Sequence, residues 1–386
     1  MAQAGAVVNW HAEAHFAVTI AGGSIGGLCA GVALRGIGAN VHIYERVTGP
    51  METRGAGIVV QGDLVNLLRQ HHAPDLPMTA CRVRRYFDPD GGAGTTQAMP
   101  QQFTSWEAIY ETLRATFPDD RYHMGAAVSD VEQQGSQVIA TLNGERKVTS
   151  DLLLAADGAN SALRHRFVPD AAPSYAGYVA WRGTLDESDT PPHLLAFFDD
   201  AFTFSEARSG GHILAYFIPG EGADVRPGRR RLNWVWYVRA DEIELAGALV
   251  DKDGKRHHAS LPEGLVSSDA VSKLRSRAKR EVHSKLAELV AATRDPFMQT
   301  IVDVTVTGTV FGRVMLVGDA AFVVRPHTAG AAAKAAYDAW VLSKSLMTAR
   351  QNVDAGLKAA ESLQMEQGQS LVQYGVALGN RWAKAR

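Results

Sequence analysis

The residues whose types and spacing could do chemistry lie in five separate parts of the chain. In Ile20 to Leu28, "IAGGSIGGL", Gly22 to Gly26 spells G-x-S-x-G, the turn that exposes a serine nucleophile, which would be Ser24. The same stretch, Gly22 to Gly27, nearly spells G-x-G-x-x-G, a loop that cradles a pyrophosphate at a helix N-terminus, with Ser24 in place of the middle glycine. Asp157-Gly158 and Gly318-Asp319 put an acidic residue beside glycine at the end of an apolar run. His212 and Tyr216, four apart in "HILAYFI", fall on one face of a strand with Leu214 and Ile218, offering two polar tips and two apolar walls to a small ring. His327 and Arg182 complete the set. Histidine titrates nearest neutrality and could take a proton from a ring hydroxyl, while an arginine could hold an anionic oxygen or pair with a carboxylate.

The elements around these residues decide between the two readings of the glycine loop. Phe16, Val18 and Ile20 alternate as a strand, and Ile25, Leu28, Cys29 and Val32 recur as a helix face. Val41 to Glu45 then reads as a second strand, closing a βαβ unit. A nucleophile elbow needs an upstream strand to supply one oxyanion donor, and so few residues precede Ser24 that this part has no room. A dinucleotide loop needs an acidic residue about 20 positions on for a ribose hydroxyl, and Glu45 follows Gly27 by 18. The phosphate-loop reading places Gly22 at the tight turn, Gly27 at the helix–strand contact and Ile25 at the helix N-terminus.

Further along, residues 127–149 read as a meander with an Asn143-Gly144 turn. Leu152 to Ala156 and Val314 to Val317 read as fully buried strands, and residues 175–240 as antiparallel strands. Residues 272–292 read as one amphipathic helix with a basic outer face; attraction of a nicotinamide phosphate is a minor alternative to simple solvation. Ala331 to Leu346 and Gly356 to Tyr374 read as helices, and the pairs His71-His72 and His257-His258 as solvated.

The 386 residues, 39 basic and 41 acidic, 46% hydrophobic and 21% charged, describe a globular protein without the basic excess of a nucleic-acid binder. Two distant cysteines, Cys29 and Cys81, indicate neither a disulfide framework nor a metal site and point to the cytoplasm. The first sixteen residues do not read as a signal peptide, and no apolar run is long enough to span a membrane.

The three segments "IAGGSIGGL…VHIYER", "DLLLAADGANSALR" and "GRVMLVGDAAFVVRPHTAGAAAKAAYDAW", in this order, resemble the single-component FAD-dependent aromatic hydroxylases, the class A flavoprotein monooxygenases. Within that family, "YAGYVAWRG", "GGHILAYFIPG" and "RPH" are most similar to the hydroxypyridine hydroxylases, above all the 2,6-dihydroxypyridine 3-hydroxylase group, and more loosely to the 6-hydroxynicotinate 3-hydroxylases. The resemblance implies an α/β fold in which a Rossmann-like FAD domain (residues 15–75, 104–170 and 300–350) interleaves with a mainly antiparallel-sheet substrate domain (76–103 and 171–299). A loose extension (1–14) would precede them and a helical segment (351–386) follow.

The resemblance also implies the chemistry: FAD as cofactor, NADH or NADPH and O2 as co-substrates, an oxygen adduct at flavin C4a, and a small electron-rich ring as substrate, in an enzyme that forms a homodimer. Glu45 would bind the adenosine ribose and Asp319 the ribityl chain, while Asp157 would lie near the pyrophosphate and assist nicotinamide binding; Arg46, also cofactor-binding, and Arg164 follow the same motifs. Gly330, Ala331 and Ala332, opening a helix, would direct its dipole at the anionic pyrimidine edge of reduced flavin. His327, beside Pro326, would approach the substrate with His212, Tyr216 and Arg182. The chain departs from many relatives in Ala329-Gly330-Ala331, where they carry Gly-Gln-Gly, in Phe322, where they carry histidine, and near Trp106, where they carry arginine. A tailoring enzyme for larger phenolic or polyketide-like products, a serine hydrolase acting through Ser24, and a non-catalytic dinucleotide sensor are the competing functions.

Overall fold

The computed structural model describes residues 16–49, 51, 57–92, 94–350 and 352–383. The expected extension at 1–14 lies outside them. Two large sheets organise the molecule. The first has six strands in the order Val310–Phe311, Val314–Leu316, Leu152–Ala155, Ala17–Ala21, Asn40–Glu45 and Tyr122–Met124. Four of its five pairings are parallel, the exception being the Val310–Phe311 edge, and its middle strands are buried and mostly apolar because helices and a small sheet cover both faces. The helix Ile25–Gly36 and the helix Ala331–Thr348 pack together on one side. The meander Val128–Gln134, Gln137–Leu142 and Arg146–Ser150 forms the small sheet, turning at Asn143 and Gly144, both with positive φ.

Gly27 shows why this βαβ unit needs its glycines. A Cβ there would sit 1.9 Å from the Gly22 carbonyl oxygen, so any side chain would push the helix off the strand. The result is a helix whose N-terminus stands directly over the end of the central strand.

The second sheet has nine strands and is antiparallel except where Ala201–Glu206 lies parallel to Thr79–Phe87. Its long strands Ser174–Asp186, Arg231–Arg239 and His212–Ile218 alternate cleanly between faces. Val179, Trp181, Ile213, Trp234 and Trp236 face two helices and form one core, while Tyr178, Ala180, Leu214, Val235 and Tyr237 face the other way. Gly57–Val59, within 15–75, pairs into this sheet, and Thr95–Ser105 and Phe297–Asp303 run across the limits expected at 103 and 299.

Two helical expectations need correction. Residues 272–292 are not one helix but two, Ser268–Glu281 and Ser284–Ala292, because Val282 turns into the core and His283 starts a new helix, its Nδ1 accepting from the Lys285 amide at 3.2 Å. The last helix runs from Val353 to Ala383, well beyond Gly356–Tyr374, and its Gly368 lies flat on the Phe322 ring.

Candidate active site

The three glycine-acid segments converge at the carboxyl ends of the parallel strands. The Ala156 amide donates to the Ala21 carbonyl at 2.8 Å, bringing the Asp157 turn beside the first loop, and Gly26 faces Gly318 closely enough that a Cβ added to either would touch the other's Cα. Glu45, buried at the end of its strand, accepts from the Gly23 and Val47 amides at 2.8 and 2.9 Å. A carboxylate offers about four lone-pair directions, so Glu45 holds the loop and keeps acceptors for a ribose. Arg46 follows at the surface. Ser24 is the N-cap of the helix Ile25–Gly36 but makes no capping bond, and the first turn has no acidic residue. Its hydroxyl has no histidine bonded to it among the described residues, so the elbow reading lacks its general base.

Asp157 caps the short helix Ala162–Phe167: one oxygen accepts from Ser161 Oγ at 2.5 Å and the other from the Leu163 amide at 3.2 Å. Arg164, 2% exposed, ties this turn to the Gly-Asp turn by donating to the carbonyls of Ala159, Asp319, Ala320 and Ala171. Its engagement is with backbone, a structural task. Asp319 is half-buried; burial pushes its carboxyl up from the usual range, while Lys334 and Arg164 pull it down and Asp338 raises it.

The helix Ala331–Thr348 begins at Gly330 with no side-chain cap and no acid in its first turn. Two helix N-termini thus present uncapped N–H groups, Ile25 beside the phosphate loop and Ala331-Ala332 beside the Pro326–Thr328 turn. Helix starts with no side-chain cap and no acid in the first turn suit a cofactor with a pyrophosphate at one end and a ring that becomes anionic at the other, and the residues therefore fit FAD.

The polar face of the nine-stranded sheet supplies the second half of the site. His327 reaches it from the 326–328 turn: its Nε2 lies 2.9 Å from the Tyr178 hydroxyl, and its ring 4.1 Å from Tyr237 and 5.4 Å from His212. His212 and Tyr237 are register partners on adjacent strands, rings 4.9 Å apart. Gln61 fixes the turn by donating to the Ala329 carbonyl at 2.7 Å. Arg325 anchors it through a two-pronged ion pair with Asp303 at 2.8 and 2.6 Å. Tyr216 is on the same face but belongs to a different group, stacked on Phe103 at 4.3 Å and packed edge-on against Phe202. His212 and Tyr216, expected to act together, thus have different neighbours.

Burial, reinforced by Arg325 and Arg182, lowers the His327 imidazolium to about 4. His212 is lowered further in the same direction by burial and by His327. Both are held in the neutral form, weaker bases than a free imidazole, with burial the foremost cause. Tyr178 is held protonated by burial. Arg182 is half-buried between these groups, its charge felt by Tyr216, Tyr237 and His327. Its Nε is buried without a partner, and among the described residues no carboxylate pairs with it.

Sequence reasoning missed Tyr178 and Tyr237, whose only signal is alternation within strands, and the buried pair Lys334–Asp338, visible as an i,i+4 pair in an alanine-rich run. Of the histidines expected to be solvated, His257 is half-buried and bonded to Asp251 at 2.7 Å, and His71 packs on Gly36. Phe322 is fully buried beneath Lys334, and Trp106 stacks on Tyr110.

A family model described as FAD binding domain-like matches residues 175–303. The chain is 33% identical over 355 residues to 2,6-dihydroxypyridine 3-monooxygenase of Paenarthrobacter nicotinovorans, covering 91% of this chain and 87% of that one. It is 26% identical to the aurachin C monooxygenase/isomerase of Stigmatella aurantiaca, covering 95% and 90%. The solved structure of 2,6-dihydroxypyridine-3-hydroxylase from Arthrobacter nicotinovorans superimposes with a TM-score of 0.89 at 30% identity, covering 96% of this chain and 94% of that one. Two uncapped helix starts, a glycine loop converging with two glycine-acid turns, and near full-length likeness to such an enzyme agree: this chain belongs to the FAD-binding monooxygenase family.

Proposed function

We propose that the substrate is a small hydroxylated pyridine bound as its anion, 2,6-dihydroxypyridine first among them. The observation that carries this reading is Arg182. A cation withdrawn from water without a carboxylate partner is costly, and its natural complement is a ligand oxyanion. A hydroxypyridine that has lost a ring hydroxyl proton supplies that oxyanion and is also the more electron-rich form of the ring. The similar proteins from Paenarthrobacter and Arthrobacter are a 2,6-dihydroxypyridine 3-monooxygenase and a 2,6-dihydroxypyridine-3-hydroxylase, in agreement with this substrate class.

Bound FAD, reduced by NADH or NADPH, supplies activated oxygen for transfer to the ring. The chain's own residues do the rest. Arg182 binds the ring oxyanion and keeps the proton off it. His327, neutral, acts as a hydrogen-bond partner: where the Tyr178 O–H donates to Nε2, Nδ1 carries the proton and donates to the ring substituent. Tyr237 and His212 brace that imidazole, and Leu214, Val235 and Ala180 exclude water. Glu45 with Arg46 would hold the adenosine ribose, Gly22, Ser24, Ile25 and Gly27 the pyrophosphate, Asp319 the ribityl chain, and Gly330, Ala331 and Ala332 the pyrimidine edge. Asp157, by its position, would serve the pyrophosphate and the nicotinamide, and Tyr216 the far wall of the pocket.

Substrate-stimulated oxidation of NADH and NADPH by the FAD-loaded enzyme, across a panel of mono- and dihydroxylated pyridines and larger phenols, tests the reading. Strong stimulation by dihydroxypyridines is expected; stimulation by large phenols alone would contradict it.

A further inference from the structure

Lys334 and Asp338 stand one turn apart in the helix Ala331–Thr348, with side chains 0% and 1% exposed. Lys334 Nζ lies 2.7 Å from Asp338 Oδ2 and donates to the Gly318 carbonyl at 3.0 Å, while the same Asp338 oxygen accepts from the Gly318 amide at 2.9 Å. One ion pair therefore holds both backbone groups of a single residue. That residue has φ +58°, the left-handed region glycine tolerates, and the next residue is Asp319.

Stability alone does not account for the pair. Buried ion pairs are often matched or bettered by apolar side chains of the same size, and here Asp338 Oδ1 has no partner, adding to the cost. What an apolar pair could not do is grip the Gly318 peptide. We propose that Lys334 and Asp338 are positioning residues, a buried clamp that fixes the Gly318–Asp319 turn so that Asp319 is presented to the ribityl chain of FAD. Electrostatics supports the geometry. The charged groups facing Asp319 are Lys334 and Asp338 on this helix and Arg164 on Ala162–Phe167, and Lys334 is foremost among those that keep the carboxyl ionised and able to accept hydrogen bonds.

The inference rests on the assignment of Asp319 to the cofactor, and two measurements separate them. FAD dissociation from the holoenzyme is followed by flavin fluorescence, beside thermal unfolding. The double variant Lys334→Met/Asp338→Leu is expected to unfold no earlier than the wild type yet bind FAD at least roughly tenfold more weakly. Lys334→Gln/Asp338→Asn, which retains a donor for the Gly318 carbonyl and an acceptor for its amide, is expected to stay within about threefold of the wild-type Kd. A wild-type Kd in the Met/Leu variant overturns the clamp, whereas a wild-type Kd in Asp319→Asn overturns the assignment of Asp319. Should the Met/Leu protein not fold, Lys334→Gln decides: FAD affinity should fall away at a higher pH than in the wild type, and superimposable profiles overturn the proposal.

Discussion

Of the cations drawn into this protein, Lys334 and Arg182 are treated in opposite ways. Lys334, beneath the Gly318–Asp319 turn, is fully enclosed, with a carboxylate at 2.7 Å and a carbonyl at 3.0 Å. Arg182, on the polar face of the nine-stranded sheet, has a buried Nε with no partner and no paired carboxylate among the described residues. Both are partly or wholly withdrawn from water, so both cost free energy to place. The paired charge completes its own circuit and shapes backbone. The unpaired one leaves its circuit open, and a ligand must close it.

Removing each charge should therefore have different consequences. Lys334→Met alone strands Asp338 in the core and should lower stability by about 3–5 kcal/mol, read from chemical denaturation. Arg182→Met should leave unfolding unchanged or slightly delayed, retain FAD, and lower kcat/KM for a hydroxypyridine by about 3 kcal/mol, roughly 100-fold. A Lys334 variant as stable as wild type, or an Arg182 variant that unfolds early and turns over normally, would erase the contrast.

His327 sharpens the same comparison. Because burial makes it a weak base and its Nε2 is taken by the Tyr178 hydroxyl, His327→Gln should cost only about tenfold in coupled hydroxylation, the worth of a hydrogen bond; a loss of several hundredfold would restore it as a base. The pH behaviour follows from the same shift. With the folded value depressed from 6.5 to about 4, the stability His327 contributes is complete above about 6.5 and is lost as pH falls towards 4. The acid limb of kcat/KM belongs near pH 4, and His327→Phe should flatten the stability loss over that window. The smallest effect is expected at Ser24, which makes no capping bond: Ser24→Ala should change the FAD Kd by less than about threefold.

The cofactor half was legible because backbone geometry dictates residue type there. Gly27 admits no side chain against the Gly22 carbonyl, and Glu45 must end a strand to reach the loop, so these constraints leave marks in the sequence. The pocket half was less so, since it depends on which strands lie side by side. Tyr237 enters the site because it pairs across from His212, and Tyr178 because a turn some 150 residues later delivers His327 to it. Alternation within "HILAYFI" placed His212 and Tyr216 on one face, but not that Phe103, from a separate hairpin, would claim Tyr216. Helical periodicity likewise ran straight through Val282 and His283, where the chain starts a second helix.

Oxygen-18 labelling tests the central claim most directly. With 18O2, NADH or NADPH and 2,6-dihydroxypyridine, the wild-type enzyme should form a trihydroxypyridine carrying one 18O per product in step with nicotinamide oxidised, and Arg182→Met at the same subsaturating substrate should form labelled product roughly 100-fold more slowly. Unlabelled product, or labelled product formed equally well without Arg182, would contradict the account.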